Sequence, residues 1–146
     1  MTKTASGLVA YCEAQLGKPY WMGTYGNTAS AQLYKDNKAR LPSYYTASDF
    51  QSQYGKRVHD CVGLIKGYRW SDTPTSAPKY VASQDVAVSG LYAQCSKRGA
   101  ISTIPDQPGV CVFMSGHVGV YIGDGYVIEA RGHAYGVVKT KLSGRG

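Results

Sequence analysis

Gly116-His117-Val118-Gly119-Val120-Tyr121-Ile122-Gly123-Asp124-Gly125-Tyr126-Val127-Ile128-Glu129 is the stretch that decides the architecture. Val, Ile and Tyr dominate both halves, and Gly123-Asp124-Gly125 between them has the composition of a tight hairpin turn. Successive strand residues point to opposite faces of a sheet, so the turn length decides which side chains meet. A two-residue loop sets Glu129 on the face opposite His117. A three-residue loop, with Gly125 in the left-handed region, pairs Glu129 with Gly119 and puts both on the His117 face. His117 and Glu129 are then diagonal neighbours about 7–8 Å apart at the backbone. Gly119 leaves the space between them clear, and a carboxylate there can hold the imidazole from behind. The same register sets Arg131 opposite His117, where it either borders a site or competes for Glu129. Standing alone, the hairpin also fits an ordinary His and Glu on an exposed sheet face.

Around this hairpin the chain divides in two. Short runs rich in Val, Ile and Tyr, separated by Gly, predict strands at 109–114, 117–122, 126–131 and 137–141. Before residue 99 the pattern is helical. Ala5, Leu8, Val9, Cys12 and Leu16 share one face of a helix over 4–16 that Gly17-Lys18-Pro19 ends. A short helix is expected over 61–68, and another over 84–97 with Val88, Leu91, Tyr92 and Cys95 on its buried side. Residues 71–78 read as a loop. Residues 24–56 are polar and Tyr-rich, with weak helical stretches at 29–37 and 46–54, and look like an insertion on a core. Helices followed by antiparallel strands make an α+β arrangement in a single domain spanning 1–146.

Composition narrows the function. The chain has 146 residues, a net charge of +7, 13 Tyr and 4 Cys. Its apolar content argues against disorder. No apolar run approaches the roughly 18 residues of a membrane span, so stable membrane insertion is not expected. Four Cys are too sparse for a disulfide-stapled miniprotein. The first 18 residues lack the apolar core of a secretory signal, which implies synthesis in the cytoplasm and reduced thiols. The ending Leu142-Ser143-Gly144-Arg145-Gly146 fits either a domain cut from a longer chain or a loose tail. The positive charge favours a polyanionic partner. Lys and Arg are spread along the chain with only Lys56-Arg57 and Lys97-Arg98 adjacent, so nucleic acid is not the expected partner.

His59-Asp60-Cys61-Val62-Gly63-Leu64-Ile65 carries the second piece of chemistry. Asp60 stands where a helix N-cap belongs, and Cys61 follows as the first helical residue. The positive end of a helix favours a thiolate over a thiol. A buried structural Cys is the bland reading. Cys12, Cys95 and Cys111 lie on apolar faces and read as buried free thiols. His59 reads as exposed or lining a cleft. No Cys-x-x-Cys pair and no Gly-rich phosphate loop occur, so neither a metal nor a cofactor is expected.

Taken together, Cys61, His117 and Glu129 form a thiol, imidazole and orienter set. The set resembles the NlpC-type cell-wall cysteine peptidases of the papain-like superfamily. The resemblance rests on four ordered motifs: Pro19-Tyr20-Trp21-Met22-Gly23, Asp60-Cys61-Val62-Gly63-Leu64, Pro108-Gly109, and Gly116 to Gly123 with Glu129 beyond. It implies a papain-like fold, with Cys61 as nucleophile at a helix start packed on the C-terminal sheet. It implies His117 as general base and then acid, and Glu129 as orienter, with His133 the competing candidate. Tyr20 resembles the family tyrosine near the oxyanion site, with a Tyr merely packed beside the helix as the alternative. Tyr20, Asp60 and Arg131 are thus the candidates for oxyanion and substrate contact. Two positions depart from the family: Glu129 stands where His, Asn or Gln is commoner, and Val62 where Ser often helps hold the stem peptide.

The implied activity is peptidoglycan hydrolysis by a thiol protease, through an acyl-enzyme on an amide bond of the stem peptide. The expected bond joins D-γ-glutamate to the diamino acid, as in an endolysin acting on the wall after release, with a wall-binding module possible beyond residue 146. The muramoyl–L-alanine amide, another papain-like amidase activity, and a non-catalytic anionic-polymer binder are the alternatives. A monomer is expected. The charge then serves attraction to an anionic wall, which weakens as salt rises.

Overall fold

The expected strand run forms one antiparallel meander. In a computed structural model describing residues 3–144, β3 (Cys111–Met114), β4 (His117–Gly123), β5 (Tyr126–Ala130) and β6 (Val137–Lys141) lie side by side in chain order. Ahead of them come α1 (Ala5–Gln15), β1 (Tyr25–Thr28), α2 (Ala31–Arg40), β2 (Arg57–His59), α3 (Cys61–Trp70) and α4 (Val88–Ala93). The architecture is α+β, with helices first and the sheet last.

Alternation along the strands builds the main core. Val118 and Val120 of β4, Ile128 and Ala130 of β5 and Val137 of β6 pack with Leu8, Tyr11 and Cys12 of α1 and Leu64 and Ile65 of α3. The alternate positions carry Val112, Tyr121 and Val127, which Ile101, Ile104, Val110 and Leu142 cover. The sheet is therefore apolar on both faces, and His117 stands at the β3–β4 turn, at one end of it.

The hairpin register agrees with the three-residue reading by a different route. Gly123 pairs with Tyr126, so the loop itself is two residues, Asp124 and Gly125, both at positive φ (54° and 80°). Two positive φ values in succession are the signature of a type I′ turn. Tyr121 pairs with Val127, so Ile122 is an extra residue on β4. This bulge restores the offset that sets Gly119 across from Glu129. A Cβ on Gly119 would lie 3.2 Å from Glu129 Cβ and 2.7 Å from Val127 Cγ1.

Three expectations about the helices fail for local reasons. The helix over 84–97 shrinks to Val88–Ala93, preceded by a 3-10 turn at Ala82–Gln84. Val86 and Val88 are β-branched and Gly90 follows them, while Asp85 is held outside the helix by Lys66 and Tyr80. In α1 the buried face carries Leu8, Tyr11, Cys12 and Gln15, whereas Leu16 caps the helix and is exposed. Tyr11 and Gln15 displace it because both have polar partners inside, His59 for one and the Pro74 carbonyl for the other. Residues 46–54 hold only a 3-10 turn at Gln51–Gln53.

The Tyr-rich segment makes a second core. Trp21, Ala29, Tyr45, Phe50 and Val58 are buried together, with Tyr34 and Tyr54 against them. Phe50 and Tyr45 stack at 4.9 Å between ring centroids, and the other rings meet Trp21 edge-on. Most of these aromatics serve packing; Tyr44 is the one left exposed among those from Trp21 to Tyr54. The segment also supplies β1, which pairs with β2 through polar sequences, Tyr-Gly-Asn-Thr and Arg-Val-His, that carry no strand signal. This ribbon delivers the chain into Asp60 and Cys61.

Candidate active site

Asp60 fixes the start of α3. Its Oδ1 accepts from the Gly63 amide at 2.6 Å, as an N-cap should, and its Oδ2 accepts from the Gly23 amide at 3.0 Å. One carboxylate thus ties α3 to the Pro19–Gly23 segment, and burial pushes its pKa up while these two amides pull it back. Cys61 follows as the first residue of α3, buried at 8% exposure. A Cβ on Gly63 would lie 1.8 Å from the Thr24 carbonyl oxygen, so only Gly lets α3 lie this close to the 19–24 backbone.

His117 meets Cys61 from the other side. Its Nε2 lies 2.7 Å from Glu129 Oε1, and the ring stands close enough to the Cys61 side chain to feel its charge. With Nε2 on the carboxylate, Nδ1 is the nitrogen left for the thiol. The contact with Cys61, and then Glu129, raises the His117 pKa from 6.5 to about 9, against the opposing effect of burial. Glu129 is 3% exposed, and its Oε2 accepts from the Thr140 hydroxyl of β6. Sequence reasoning missed Thr140, which becomes visible only once the β5–β6 register is known.

The remaining candidates separate clearly. His133 does not approach His117. Its Nδ1 faces the Tyr20 carbonyl at 3.1 Å, its Nε2 faces Asp49 Oδ1 at 2.5 Å, and its ring stacks on Phe50 at 4.2 Å. Of the two candidates, Glu129 is the one in contact with His117. Arg131 is exposed and lies over the Tyr135 ring at 4.3 Å. It borders the His117 end of the sheet instead of competing for Glu129. The Tyr20 hydroxyl donates to Met22 Sδ at 3.9 Å. Burial, then Asp60 and Cys61, push its pKa well above the ordinary tyrosine value, so it remains a proton donor beside Cys61.

Two sulfur and nitrogen readings are corrected. Cys12 is buried, but Cys95 and Cys111 are only half-buried. His59, expected at the surface, has no exposure at all. The Tyr11 hydroxyl accepts from Arg57 Nε and Nη2 at 3.1 and 2.9 Å and donates to His59 Nε2 at 2.7 Å. Burial, and then the Arg57 charge, lower the His59 pKa to about 3. Among the described residues no group of three or more His, Cys, Asp or Glu is arranged to hold a metal ion.

An open groove of about 840 Å³ runs past Cys61, its walls including Val62, Lys66, Asp85, Val88 and Met114. The half-helix α4 forms one side of this groove. The Lys66–Asp85 ion pair, at 2.6 Å, ties that side to α3.

No protein-family model matches the sequence, and no curated protein matches it. Among solved structures the fold is similar to the structure of NlpC1 from Trichomonas vaginalis, with a TM-score of 0.55 over 99% of this chain at 16% identity. The chain has a papain-like, NlpC-type fold. It spans 42% of the length of the Trichomonas chain. Within this fold the order of parts is a helix that starts at Cys61, then a meander whose first hairpin carries His117 and whose next strand carries Glu129.

Proposed function

We propose that the protein is a cysteine hydrolase that cleaves an amide bond of the peptidoglycan stem peptide. The observation that carries this reading is the His117 ring held between Cys61 and Glu129 beside an open groove. A raised imidazole pKa keeps a proton on His117, where it is available to a leaving amine.

The thiolate of Cys61 attacks the carbonyl carbon, and negative charge develops on the carbonyl oxygen. The Cys61 backbone amide and the Tyr20 hydroxyl are the donors for that oxyanion. Collapse of the tetrahedral species breaks the C–N bond, and the leaving amine takes the His117 proton. Water then attacks the thioester as His117 accepts its proton, which releases the acid and restores the thiolate and imidazolium. Glu129 holds the ring in the tautomer and orientation this exchange requires. Asp60 positions the helix and Tyr20 through its two amide contacts, and Arg131 lies at the rim where it can meet substrate.

The bond between D-γ-glutamate and the diamino acid is the proposed target, with the muramoyl–L-alanine amide as the alternative within the same chemistry. The proposed setting is an endolysin that reaches the wall after release from the cytoplasm, as a monomer drawn by its positive charge. Purified peptidoglycan incubated with wild-type or Cys61→Ala protein, with fragments identified by mass spectrometry, tests the reading. New amino termini on the diamino acid, absent with Cys61→Ala, are expected. Equal release by Cys61→Ala would overturn the thiol mechanism, and binding without release by wild type would leave only an anionic-polymer binder.

A further inference from the structure

Glu129 presents a problem of its own. A carboxylate at 3% exposure loses most of its hydration, and a buried charged group needs hydrogen-bond donors at both oxygens. His117 answers at Oε1. At Oε2 the hydroxyl of Thr140 donates. In the β5–β6 ladder Glu129 pairs with Val138 and Val127 with Thr140. Thr140 is thus the diagonal neighbour of Glu129 on one face of the sheet, near enough for a short side chain to reach a long one.

We infer that Thr140 is a positioning residue of the catalytic set, the fourth member of a line that runs Thr140–Glu129–His117–Cys61 from the edge strand to the α3 N-terminus. The inference rests on the cysteine-hydrolase reading of Cys61 and His117. A carboxylate anchored at one oxygen can swing about its own axis, and the imidazole it holds swings with it. Two anchors on different oxygens remove that freedom, which fixes the ring against the thiol. An amide-bearing orienter would carry its own donor; a carboxylate has none, so its second oxygen must find one elsewhere in the fold. β6 supplies it.

The hydroxyl also bears on charge. A donor at Oε2 favours the anionic carboxylate, and the anion favours the imidazolium across from it. The groups facing His117 are Cys61 from α3 and Glu129 from β5, with Arg131 just past the end of β5 at the rim. Loss of the Thr140 donor weakens the Glu129 contribution alone and leaves the Cys61 contribution in place.

The test uses two readouts, one of which needs no substrate. Thr140→Val, Thr140→Ala and Thr140→Ser proteins are compared with wild type for the pH dependence of iodoacetamide alkylation at Cys61, mapped by mass spectrometry, and for kcat and KM on peptidoglycan fragments. In Thr140→Val and Thr140→Ala the alkaline limb that reports His117 is expected to move down by about half to one pH unit. A loss of about five- to tenfold in kcat with KM unchanged should accompany it. Thr140→Ser, which keeps the hydroxyl, should restore both. Alkylation profiles of Val and Ala variants that superimpose on wild type would overturn the role, as would a Ser variant that shifts as far as Val. If wild type releases no fragments while the alkylation limb still moves with Thr140→Val, the positioning role stands and the hydrolase reading falls.

Discussion

His59 and His117 are each held through Nε2 at 2.7 Å, one by the Tyr11 hydroxyl and the other by Glu129 Oε1. They end in opposite charge states. His59 lies behind Cys61 with no exposure, faced by a neutral hydroxyl and the Arg57 guanidinium, so its proton affinity falls to about 3. His117 lies on the other side of Cys61, partly exposed and faced by the Cys61 sulfur and a carboxylate, so its affinity rises to about 9. The length of that one hydrogen bond does not separate them. What separates them is the sign of the neighbouring charge and the presence of water on one side only. The region behind Cys61 keeps its imidazole neutral and shut away, whereas the region on the other side keeps its imidazole protonated.

Exchanging the two histidines for neutral residues gives the largest expected contrast. His117→Ala removes the acid and base together, and turnover should fall by about 10²–10⁴-fold. His59→Gln retains an acceptor for Tyr11 and should leave turnover per folded molecule within about twofold, while it lowers stability by about 1–3 kcal/mol. Fragment release and a thermal melt on the same preparations measure both. A hundredfold loss of turnover in folded His59→Gln would erase the distinction between the regions.

The pH dependence of stability should show the same opposition, with a smaller effect. The unfolded chain titrates both rings near 6.5. Below that value the unfolded chain binds a proton that native His59 refuses, so stability falls as pH drops from about 6.5 toward 3. Native His117 keeps its proton above 6.5 while the unfolded chain releases it. Its stabilising contribution is therefore whole below 6.5 and disappears as pH rises through about 9. Urea midpoints across the range should peak between the two limbs. His59→Gln should flatten the acid limb and His117→Gln the alkaline one, and a variant that flattens the wrong limb would reverse the assignment.

The region around His117 was largely legible in the sequence and the region around His59 was not. Cys61 after an N-cap Asp, and His117 with Glu129 around a Gly-Asp-Gly turn, are local signals that short-range rules can read. Even there the register came out correctly through compensation, since a shorter turn and a bulge at Ile122 sum to the offset expected of a longer loop. Ile122 in a run of Tyr, Val and Ile carries no mark of being the extra residue. Thr140 escaped because its partner lies on another strand, and its own strand, Val-Val-Lys-Thr-Lys, gives no reason to single it out. Behind Cys61, Tyr11, Arg57 and His59 come from α1 and β2, and no spacing rule joins residues so far apart in the chain. His59 is expected to be exposed or to line a cleft, yet its polar neighbours Arg57 and Asp60 are themselves drawn inward by specific partners. The half-length α4 failed for a related reason, because Asp85 is claimed by Lys66 from outside the segment.

Each network contains one hydroxyl, which allows the smallest and most discriminating comparison. Tyr11 links Arg57 to His59, and burial pushes its hydroxyl up to about 12, with Arg57 countering only in part. Tyr11→Phe leaves the guanidinium and the imidazole without their shared partner. The expected cost is about 1–3 kcal/mol in stability, or roughly 2–12 °C in melting temperature at this size. Because that hydroxyl feeds a ring that never takes part in proton transfer, kcat, KM and the alkaline limb of Cys61 alkylation should stay at wild-type values. Thr140→Val removes a hydroxyl from the other network and should do the reverse, moving the limb and kcat while the melt changes less. If Tyr11→Phe shifted the Cys61 limb as far as Thr140→Val does, the two networks would be one, coupled through the nucleophile's helix, and His59 would have to be counted among the groups that set the charge on Cys61 and His117.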